Sequence, residues 1–444
     1  MELGEEQKQA FLEIISFIKS DQNSFSLTGA AGTGKSFLIS KIIEWLEQNN
    51  YNYCLCAPTH KAKTVLEYYT KRKAITLHKL LSLSPKLDII NLDFRDLIFK
   101  MGNVTSIPND GIIICDEASM ISDDLFNLLL DNCKKFNCKI IFSSDKLQLK
   151  PVDSNRISLV YSKPIGFNLT KIYRQSSKNA LFDTLQNLRD HKILKFKTST
   201  SEDGNVVCES NFNKFFDLCV EGVKLAIKNE NIFENKILAY TNDRVNKYNE
   251  YIVKYLFNDV NSYYKGEILT GCENLEYNNY NFYNSMDYVI SCNPTKTDIL
   301  INKIKYPAYD LLLYDVGTKL KTYVKILDKC IGNDFLEISK YIDNLRLIAI
   351  NASDRNKRKF WARYYREYNS FTTPIDLYYD GRLIRKKSFD RGYAITVHKS
   401  QGSTLNNVFV DMFDILKCKD EETVRQLQYV ALSRARKNVY IFQK

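Results

Sequence analysis

The feature that most constrains this chain is a glycine-rich octapeptide, GAAGTGKS, at residues 29–36. The residues before it, 24–28, have the pattern of a short strand, and those after it have helical periodicity as far as about Asn49. The spacing matches G-x-x-x-x-G-K-[ST], whose glycines allow successive backbone N–H groups to face a phosphate at a helix N-terminus. The sequence therefore predicts an α/β domain that binds a nucleoside triphosphate.

The chemistry of such a loop assigns its residues. Lys35 is predicted to bridge the β- and γ-phosphates of ATP, and the Ser36 hydroxyl to hold Mg²⁺. The other residues predicted to contact the nucleotide here are Gly29, Ala30, Ala31, Gly32, Thr33 and Gly34. A glycine-rich turn with a chance lysine is the alternative, but the flanking strand and helix favour the nucleotide site.

A pair of acidic residues follows the apolar run 111–115, which has the pattern of a buried parallel strand. Asp116 and Glu117 therefore fall at the carboxyl end of a strand, where open α/β sheets bind ligands. We expect Asp116 to join the Mg²⁺ site and Glu117 to orient and deprotonate the attacking water. The alternative interpretation is a helix N-terminus enriched in acidic residues. It is disfavoured because a phosphate-binding loop precedes the pair in the sequence.

The rest of the pattern sets the fold class. Strands alternate with helices over the first 160 residues, which is typical of a parallel α/β sheet, and apolar strands return after Arg391. The region 246–384 is rich in Asn and Tyr and lacks that rhythm. We expect a first domain at 1–165 with a small insertion at about 83–108, a second domain at 166–245 plus 385–444, and an inserted domain at 246–384.

Composition agrees with several domains and excludes some classes of protein. A chain of 444 residues predicts about three domains, and its net charge of +11 suggests a polyanionic partner. Its 11 cysteines include no C-x-x-C pair, so free thiols in a reducing compartment are expected. The acidic start does not resemble a signal peptide, and no apolar run reaches the roughly 18 residues of a membrane span. We expect a cytoplasmic protein without a membrane partner.

Several further motifs resemble those of superfamily 1 helicases, in the order that this family has them. The phosphate loop and DEAS at 116–119 resemble motifs I and II, DKLQLKPV at 145–152 is similar to motif III, and LTKIYRQ at 169–175 resembles motif IV. GYAITVHKSQG at 392–402 and YVALSRA at 429–435 resemble motifs V and VI. Gln7, ahead of the loop, matches the family's adenine-reading glutamine.

The resemblance implies roles for residues that the loop alone does not assign. Gln148 would sense the γ-phosphate, Tyr173 would stack on adenine, and Arg174 would reach the γ-phosphate. Arg434 would be an arginine finger supplied by the second domain, a group that is worth about 10³ or more in rate in GTPases. Gly402 would lie at the nucleotide. The fold implied is two RecA-like P-loop domains with parallel sheets, each with a small β-rich insertion.

Other family motifs imply a nucleic-acid track. APTHKAK at 57–63 resembles motif Ia, and TLHKLL at 76–81 resembles the motif that follows it. These motifs and motif V place three of the four histidines in loops that face nucleic acid in the family, where imidazoles and hydroxyls bond to phosphates and lysines add charge. The residues expected on the track are Thr59, His60, Lys61, His78, Thr396, His398 and Lys399.

Two segments keep alternative interpretations. Dda-like and RecD-like helicases carry a duplex-splitting hairpin in the slot 83–108, where Phe94 is the candidate wedge or an ordinary apolar residue. The segment 355–368, RNKRKFWARYYREY, interleaves six basic residues with aromatics, as single-strand binding surfaces do. A solvated helix face whose aromatics anchor it to the inserted domain is the favoured interpretation of that segment.

The sequence thus resembles the Dda-like/RecD-like branch of superfamily 1. This implies a monomeric, ATP-dependent DNA helicase that moves 5′-to-3′ on single-stranded DNA and acts at duplex junctions. Replication or single-strand-binding proteins are expected partners, in replication, repair or recombination. An RNA-directed helicase stays open, as does a DNA-stimulated ATPase that does not separate strands. A metabolite kinase is disfavoured because it has no use for motifs V and VI.

Overall fold

A computed structural model gives the structure of the protein. It describes residues 2–86, 98–101, 106–149, 158–162, 164–173, 179–190, 195–229, 231 and 234–443. Two residues singled out by the sequence, Phe94 and Arg174, lie outside the described residues. The predicted roles of these two residues therefore stay predictions.

The first part of the chain folds around a six-stranded parallel sheet in the order β3-β2-β6-β7-β1-β8. Strands β4 and β5 form a separate antiparallel pair in the slot predicted for the small insertion. The elements are α1 (Glu5–Lys19), β1 (Ser24–Gly29), α2 (Lys35–Gln48), β2 (Tyr53–Ala57), α3 (His60–Thr70), β3 (Ile75–Thr76), α4 (Leu77–Leu80), β4 (Leu83–Lys86), β5 (Ile98–Met101), β6 (Ile112–Cys115), α5 (Asp123–Lys135), β7 (Lys139–Ser144) and β8 (Ile165–Leu169).

The central strands of this sheet are apolar because both faces are covered. Ile112 and Ile114 point into a cluster that contains side chains of α1 and α2, whereas Ile113 and Cys115 point into a cluster that contains side chains of α4 and α5. Burial on both sides explains why β6 is a continuous apolar run. Its carboxyl end then presents Asp116 at the edge of the sheet.

A second α/β unit begins after the first sheet. Its elements up to residue 257 are α6 (Ala180–Arg189), β9 (Val206–Glu209), α7 (Phe212–Lys228), β10 (Asn235–Ala239) and α8 (Asn242–Phe257). The boundary predicted at 246 falls inside α8, whose buried residues Val245, Tyr248 and Ile252 belong to the same core as β10. The boundary predicted at 165 likewise falls inside β8, which pairs with β1 in the first sheet, and residues 389–391, predicted for the second domain, pair with the antiparallel sheet of the inserted segment.

The segment that follows forms an antiparallel sheet in the order β15-β16-β14-β11-β20, with β17 also paired to β16. Two helices and two small hairpins complete it. Its elements are β11 (Ile268–Gly271), β12 (Leu275–Tyr277), β13 (Tyr280–Phe282), β14 (Asp287–Ile290), β15 (Thr295–Ile301), β16 (Ile304–Asp315), β17 (Lys321–Leu327), α9 (Asp334–Asn351), α10 (Asp354–Tyr368), β18 (Leu377–Tyr379), β19 (Arg382–Arg385) and β20 (Phe389–Arg391).

The C-terminal residues then complete the second sheet, which is parallel and has the order β21-β10-β22-β23-β9. The remaining elements are β21 (Ala394–Thr396), β22 (Leu405–Asp411), α11 (Met412–Ile415), α12 (Glu421–Ser433) and β23 (Ala435–Phe442). The predicted α/β class with two parallel sheets and a β-rich insertion in the second is therefore confirmed. All 11 cysteines are free thiols, as expected, although Cys330 is exposed.

Candidate nucleotide site and nucleic-acid track

A cavity of about 320 Å³ lies between the two parallel sheets. Both α/β units contribute to it, and most residues predicted for the nucleotide line it. From the first unit these are Ala31, Gly32, Gly34, Lys35, Ser36, Asp116, Glu117, Gln148 and Tyr173. From the second unit they are Gly402 and Arg434. The sequence motifs, which are separated by up to several hundred residues, thus converge on one cleft.

The phosphate-binding loop has the backbone conformation that its glycines permit. Gly34, which precedes α2, has a φ of +82°, and a Cβ there would stand 2.3 Å from the Gln7 amide nitrogen. The Lys35 ammonium donates to the carbonyl oxygens of Gly29 and Ala30, at 2.7 and 3.2 Å. The N-terminus of α2 and this ammonium thus lie together at the cleft, the arrangement that favours a polyphosphate.

Gln7 and Tyr173 lie on the outer side of the loop. The buried Gln7 amide donates to the Thr33 carbonyl at 3.3 Å and accepts from the Gly4 N–H at 3.1 Å. The Tyr173 N–H donates to the Gly32 carbonyl at 2.7 Å, and 42% of the residue's surface is exposed. The structure therefore places both residues predicted for adenine against the phosphate loop, with the tyrosine partly exposed.

The acidic pair is strained and desolvated. The Ser143 hydroxyl donates to Asp116 Oδ1 at 2.7 Å, which fixes that carboxylate at the end of β6. Glu117 has a φ of +52°, a left-handed conformation that is uncommon for residues other than glycine and that clusters at functional sites. Desolvation in the cleft, together with the charge of Asp116, raises the pKa of Glu117. A raised pKa suits a general base that works near neutral pH.

Gln148 enters the cleft from the turn after β7. This side chain is buried, and its Oε1 has no hydrogen-bond partner among the described residues. Its backbone N–H donates to the Asp145 carbonyl at 3.2 Å, and Asp145 Oδ1 accepts from the Leu147 N–H at 3.0 Å. The turn therefore has a defined geometry, and it directs a side chain whose amide oxygen is unpaired towards the cavity.

Arg434 follows the last turn of α12 and is buried. Its guanidinium donates to the carbonyls of Val430 and Ser403 at 3.1 and 3.4 Å and to the Ser433 hydroxyl at 3.0 Å. All three acceptors belong to the second α/β unit. The arginine is therefore held by its own unit while it lines a cavity whose phosphate loop belongs to the other.

The sequence did not single out every residue of this cleft. Ser403 and Thr404 line it beside Gly402, and Tyr69 lines it from α3. The first two could have been found from their position directly after motif V, whereas Tyr69 carries no sequence signal. Tyr429, the first residue of motif VI, reaches the loop through a hydrogen bond for which the motif gave no expectation.

The motif Ia residues lie where the two units meet. The Thr59 hydroxyl caps α3 by accepting from the Ala62 N–H at 3.2 Å. The Lys61 ammonium donates to the Lys399 carbonyl of motif V at 3.0 Å, and desolvation lowers the pKa of Lys61 to about 8. Motifs Ia and V are thus in direct contact, and one N–H of the Lys61 ammonium is used for this contact within the protein.

His60 stacks on Tyr283 of the inserted domain, with ring centroids 3.8 Å apart and planes at 18°. Burial, with the nearby positive charge of Lys63, lowers the pKa of His60 to about 4, so its imidazole is neutral at pH 7. His78 on α4 also has a pKa lowered by burial. Both histidines therefore fit neutral hydrogen-bonding roles better than cationic ones.

The motif V residues border a second cavity of about 520 Å³ between the second sheet and the inserted domain. Thr396 and Lys399 line it, and the Thr396 hydroxyl accepts from the Lys399 N–H at 3.3 Å. His398 lies between them in sequence, and its ring centroid is 6.1 Å from that of Tyr240. Lys386 adds a positive charge to this cavity, whereas Lys387 is paired with Asp390, which lines it too.

The basic and aromatic segment 355–368 falls within helix α10, and its aromatics serve the inserted domain. Tyr364 is buried in the core that includes Phe371, and Trp361 packs against the same cluster. The Arg385 guanidinium lies 4.4 Å from the ring centroids of Tyr368 and Phe371. The favoured interpretation, a helix anchored by its aromatics, is confirmed.

Two kinds of feature are absent from the described residues. No group of three or more His, Cys, Asp or Glu side chains is placed to hold a metal ion there. In the same part of the chain, no helix combines the length and apolar character needed to cross a membrane. A nucleotide-bound Mg²⁺ needs few protein ligands, because phosphates and waters complete its octahedron, so the first finding is compatible with Ser36 and Asp116.

Known families and proteins match these features. The model of the AAA domain family matches residues 2–211, and that of the UvrD-like helicase C-terminal domain matches residues 391–442. The ATP-dependent DNA helicase dda of Enterobacteria phage T4 is 26% identical, with 99% of both chains aligned. The ATP-dependent RecD2 DNA helicase of Deinococcus radiodurans is 32% identical over 164 residues, which cover 36% of this chain and 21% of that protein.

Solved structures share the fold. The Pif1 helicase of Candida albicans superposes with a TM-score of 0.53 at 18% identity, covering 100% of this chain and 95% of that one. A Bacteroides Pif1 in complex with ADP-AlF3 and ssDNA gives a TM-score of 0.52 at 16% identity, covering 99% and 92%. These likenesses confirm the predicted architecture of two RecA-like units. With the motifs in order and converging on one cleft, the chain belongs to the superfamily 1 helicases, in their Dda-like/RecD-like branch.

Proposed function

We propose that this protein is an ATP-dependent DNA helicase that moves on single-stranded DNA and separates duplex strands, with 5′-to-3′ polarity. One observation carries the proposal. A single cavity is lined by Lys35, Asp116, Glu117 and Gln148 of one RecA-like unit and by Arg434 of the other. A nucleotide held there has to respond to the relative position of the two units, which is what a motor requires.

The nucleotide half of the mechanism follows from the residues in the cleft. The loop N–H groups and Lys35 would bind the phosphates of ATP, with Gln7 and Tyr173 at the base. Glu117 would accept a proton from the attacking water, which Gln148 would help to orient. Arg434 would stabilise the charge that develops on the γ-phosphate, and Arg174 is proposed for the same region.

Mg²⁺ is the proposed metal, because the donor set of the cleft suits it. Ser36 and Asp116 line the same cavity and offer one hydroxyl and one carboxylate oxygen donor. Asp116 Oδ1 is occupied by the Ser143 hydroxyl, which leaves Oδ2 to face the ion. When bound, Mg²⁺ would neutralise phosphate charge, while the residues of the chain position the reacting groups.

The track for single-stranded DNA is proposed along the motif Ia and motif V loops. His60 and His78 are neutral at pH 7 and suit hydrogen bonds to phosphates, while Lys399 adds charge. The Lys61 ammonium and the Lys399 carbonyl to which it bonds belong to different units. A change in cleft closure would therefore move the two loops relative to each other. Alternating grip by these loops would then convert closure into stepping.

Other features of the proposal rest on the same resemblance. We propose that Thr59, Thr396 and His398 complete the DNA contacts and that Phe94 splits the duplex at the fork. The working unit is proposed to be a monomer, with replication or single-strand-binding proteins as partners.

Unwinding of tailed duplexes tests the proposal. Purified protein is mixed with a fluorescent duplex carrying either a 5′ or a 3′ single-stranded tail, with ATP and Mg²⁺. We expect strand separation of the 5′-tailed duplex and little of the 3′-tailed one. DNA-stimulated ATP hydrolysis without strand separation would contradict the helicase assignment, and stronger stimulation by poly(U) than by poly(dT) would favour RNA as the substrate.

A further inference from the structure

A tyrosine hydroxyl joins the two RecA-like units inside the cleft. Tyr429 lies on α12 and is 1% exposed. Its hydroxyl accepts from the Ala31 N–H of the phosphate loop at 2.8 Å and donates to Asp145 Oδ2 of the turn after β7 at 3.0 Å. One oxygen atom therefore connects three motifs that belong to two units.

The hydroxyl is matched to both of its partners. The Ala31 N–H can only donate a hydrogen bond, and an ionised carboxylate can only accept one. A group between them must accept on one side and donate on the other, which the hydroxyl of Tyr429 does. Burial, with the charge of Asp145, raises the pKa of Tyr429, so the hydroxyl keeps its proton at neutral pH.

The connected elements are those that carry the groups proposed for the γ-phosphate. Arg434 directly follows helix α12, five residues after Tyr429. The turn that starts at Asp145 carries Gln148, whose N–H donates to the Asp145 carbonyl. Apolar packing supports the same contact, because Ala31 and Leu149 belong to the hydrophobic cluster that contains Tyr429.

We propose that Tyr429 is a positioning residue, which couples closure of the second unit to the placement of Gln148 and Arg434 at the γ-phosphate. The proposal rests on the proposed function of the cleft and deepens it. When the units separate, both hydrogen bonds break together, and the Asp145 turn loses its link to α12. The two hydrogen bonds of Tyr429 are thus formed in the closed state and broken in the open state, and a bound γ-phosphate can shift the equilibrium between these states.

The test removes the hydroxyl and keeps the ring. Tyr429→Phe retains the packing of the side chain but leaves the Ala31 N–H and Asp145 without this partner. We expect the affinity for adenylyl imidodiphosphate, a non-hydrolysable ATP analogue, to fall about tenfold, as loss of one hydrogen bond to a charged group predicts. The affinity for ADP should be unchanged, because ADP lacks the phosphate that Gln148 and Arg434 are proposed to contact.

Tyr248→Phe is the matched control. The Tyr248 hydroxyl is also buried and donates to a buried aspartate, Asp411 Oδ2, at 2.8 Å, but both residues belong to the second unit. This variant should lose thermal stability and keep the wild-type ratio of the two affinities. Equal ratios in Tyr429→Phe, Tyr248→Phe and the wild type would overturn the proposal.

A second variant guards against misfolding. Asp145→Asn removes the charged acceptor at nearly constant volume and should give the same loss of preference for the ATP analogue. In the double variant Tyr429→Phe/Gln148→Ala, the loss should be smaller than the sum of the two single losses, since Tyr429 is proposed to act partly through that turn. If the losses of the two single variants were fully additive, Tyr429 would not act through the turn that carries Gln148. Both affinities are measured without DNA, so a failure to unwind duplexes would leave this result interpretable.

Discussion

Replacement of Arg434 by alanine is the sharpest test of the nucleotide cleft. Three of the five guanidinium N–H groups donate to Val430, Ser403 and Ser433, all within the second unit. Two N–H groups are therefore left for the nucleotide. The substitution removes a positive charge from the cavity without removing any group that belongs to the phosphate-binding loop.

The expected magnitude follows from electrostatics. A unit charge about 4 Å from the charge that develops on the phosphate contributes about 4 kcal/mol at an effective dielectric constant of about 20. Since about 1.4 kcal/mol corresponds to a factor of ten, Arg434→Ala should lower kcat for DNA-stimulated ATP hydrolysis by about 10³. Arg434→Lys keeps the positive charge but loses the planar, forked geometry of the guanidinium. It should lower kcat by about 10², the factor that a misplacement of about 1 Å costs in rate.

The assay is steady-state phosphate release with saturating single-stranded DNA, together with ADP binding. ADP affinity should be close to that of the wild type in both variants, since the loop is intact. Lys437→Ala removes an exposed positive charge three residues further on and should retain wild-type turnover. A fall of less than tenfold in Arg434→Ala, with normal folding, would refute the arginine-finger assignment.

Four further results are expected. Lys35→Ala should abolish ATP turnover but preserve single-stranded DNA binding in a fluorescence titration, and persistent hydrolysis would contradict the site assignment. Glu117→Gln should lower kcat by about 10²–10⁴ with little change in nucleotide affinity. Since the folded-state pKa of His60 is depressed to about 4, stability due to this residue should be lost as pH falls from 6.5 to 4, and denaturant unfolding of His60→Gln should show a weaker pH dependence. Lys236→Met breaks the buried ion pair with Asp287 at 2.7 Å and should cost about 3–5 kcal/mol of unfolding free energy in urea.

The sequence predicted features that depend on neighbouring residues. The strand that ends in Asp116 was found because β6 is a continuous apolar run, as a strand buried on both faces has to be. Helix α2 was found from its periodicity, which was predicted to continue as far as about Asn49, and the structure places it at Lys35–Gln48. The site residues could be assigned because each motif carries its chemistry within a few positions.

Contacts between distant motifs could not be predicted in the same way. Ala31 and Tyr429 are 398 positions apart, and Lys61 and Lys399 are 338 positions apart. No neighbouring residue in the sequence indicates that the hydroxyl of Tyr429 bonds to a phosphate-loop N–H. A tyrosine in an apolar helix is normally interpreted as a residue of the hydrophobic core. The boundary predicted at 246 fell inside α8 for a related reason, because polar residues separate the apolar residues that pack on β10.

The character of the contacts across the cleft explains how one nucleotide can move two domains. Within each unit the sheets are covered by large apolar clusters, which resist opening. Across the cleft, the contacts include the two hydrogen bonds of the Tyr429 hydroxyl, the one from Lys61, and the side chains of Ala31 and Leu149. Hydrogen bonds of this kind contribute about 0.5–1.5 kcal/mol each, or about 1.5–3 to a charged group. A ligand must prefer one state by about 5.5 kcal/mol to shift a population from 1:99 to 99:1. The γ-phosphate contacts proposed for Arg434 and Gln148 would form only in the closed cleft, so these are the contacts that would have to supply a preference of that size.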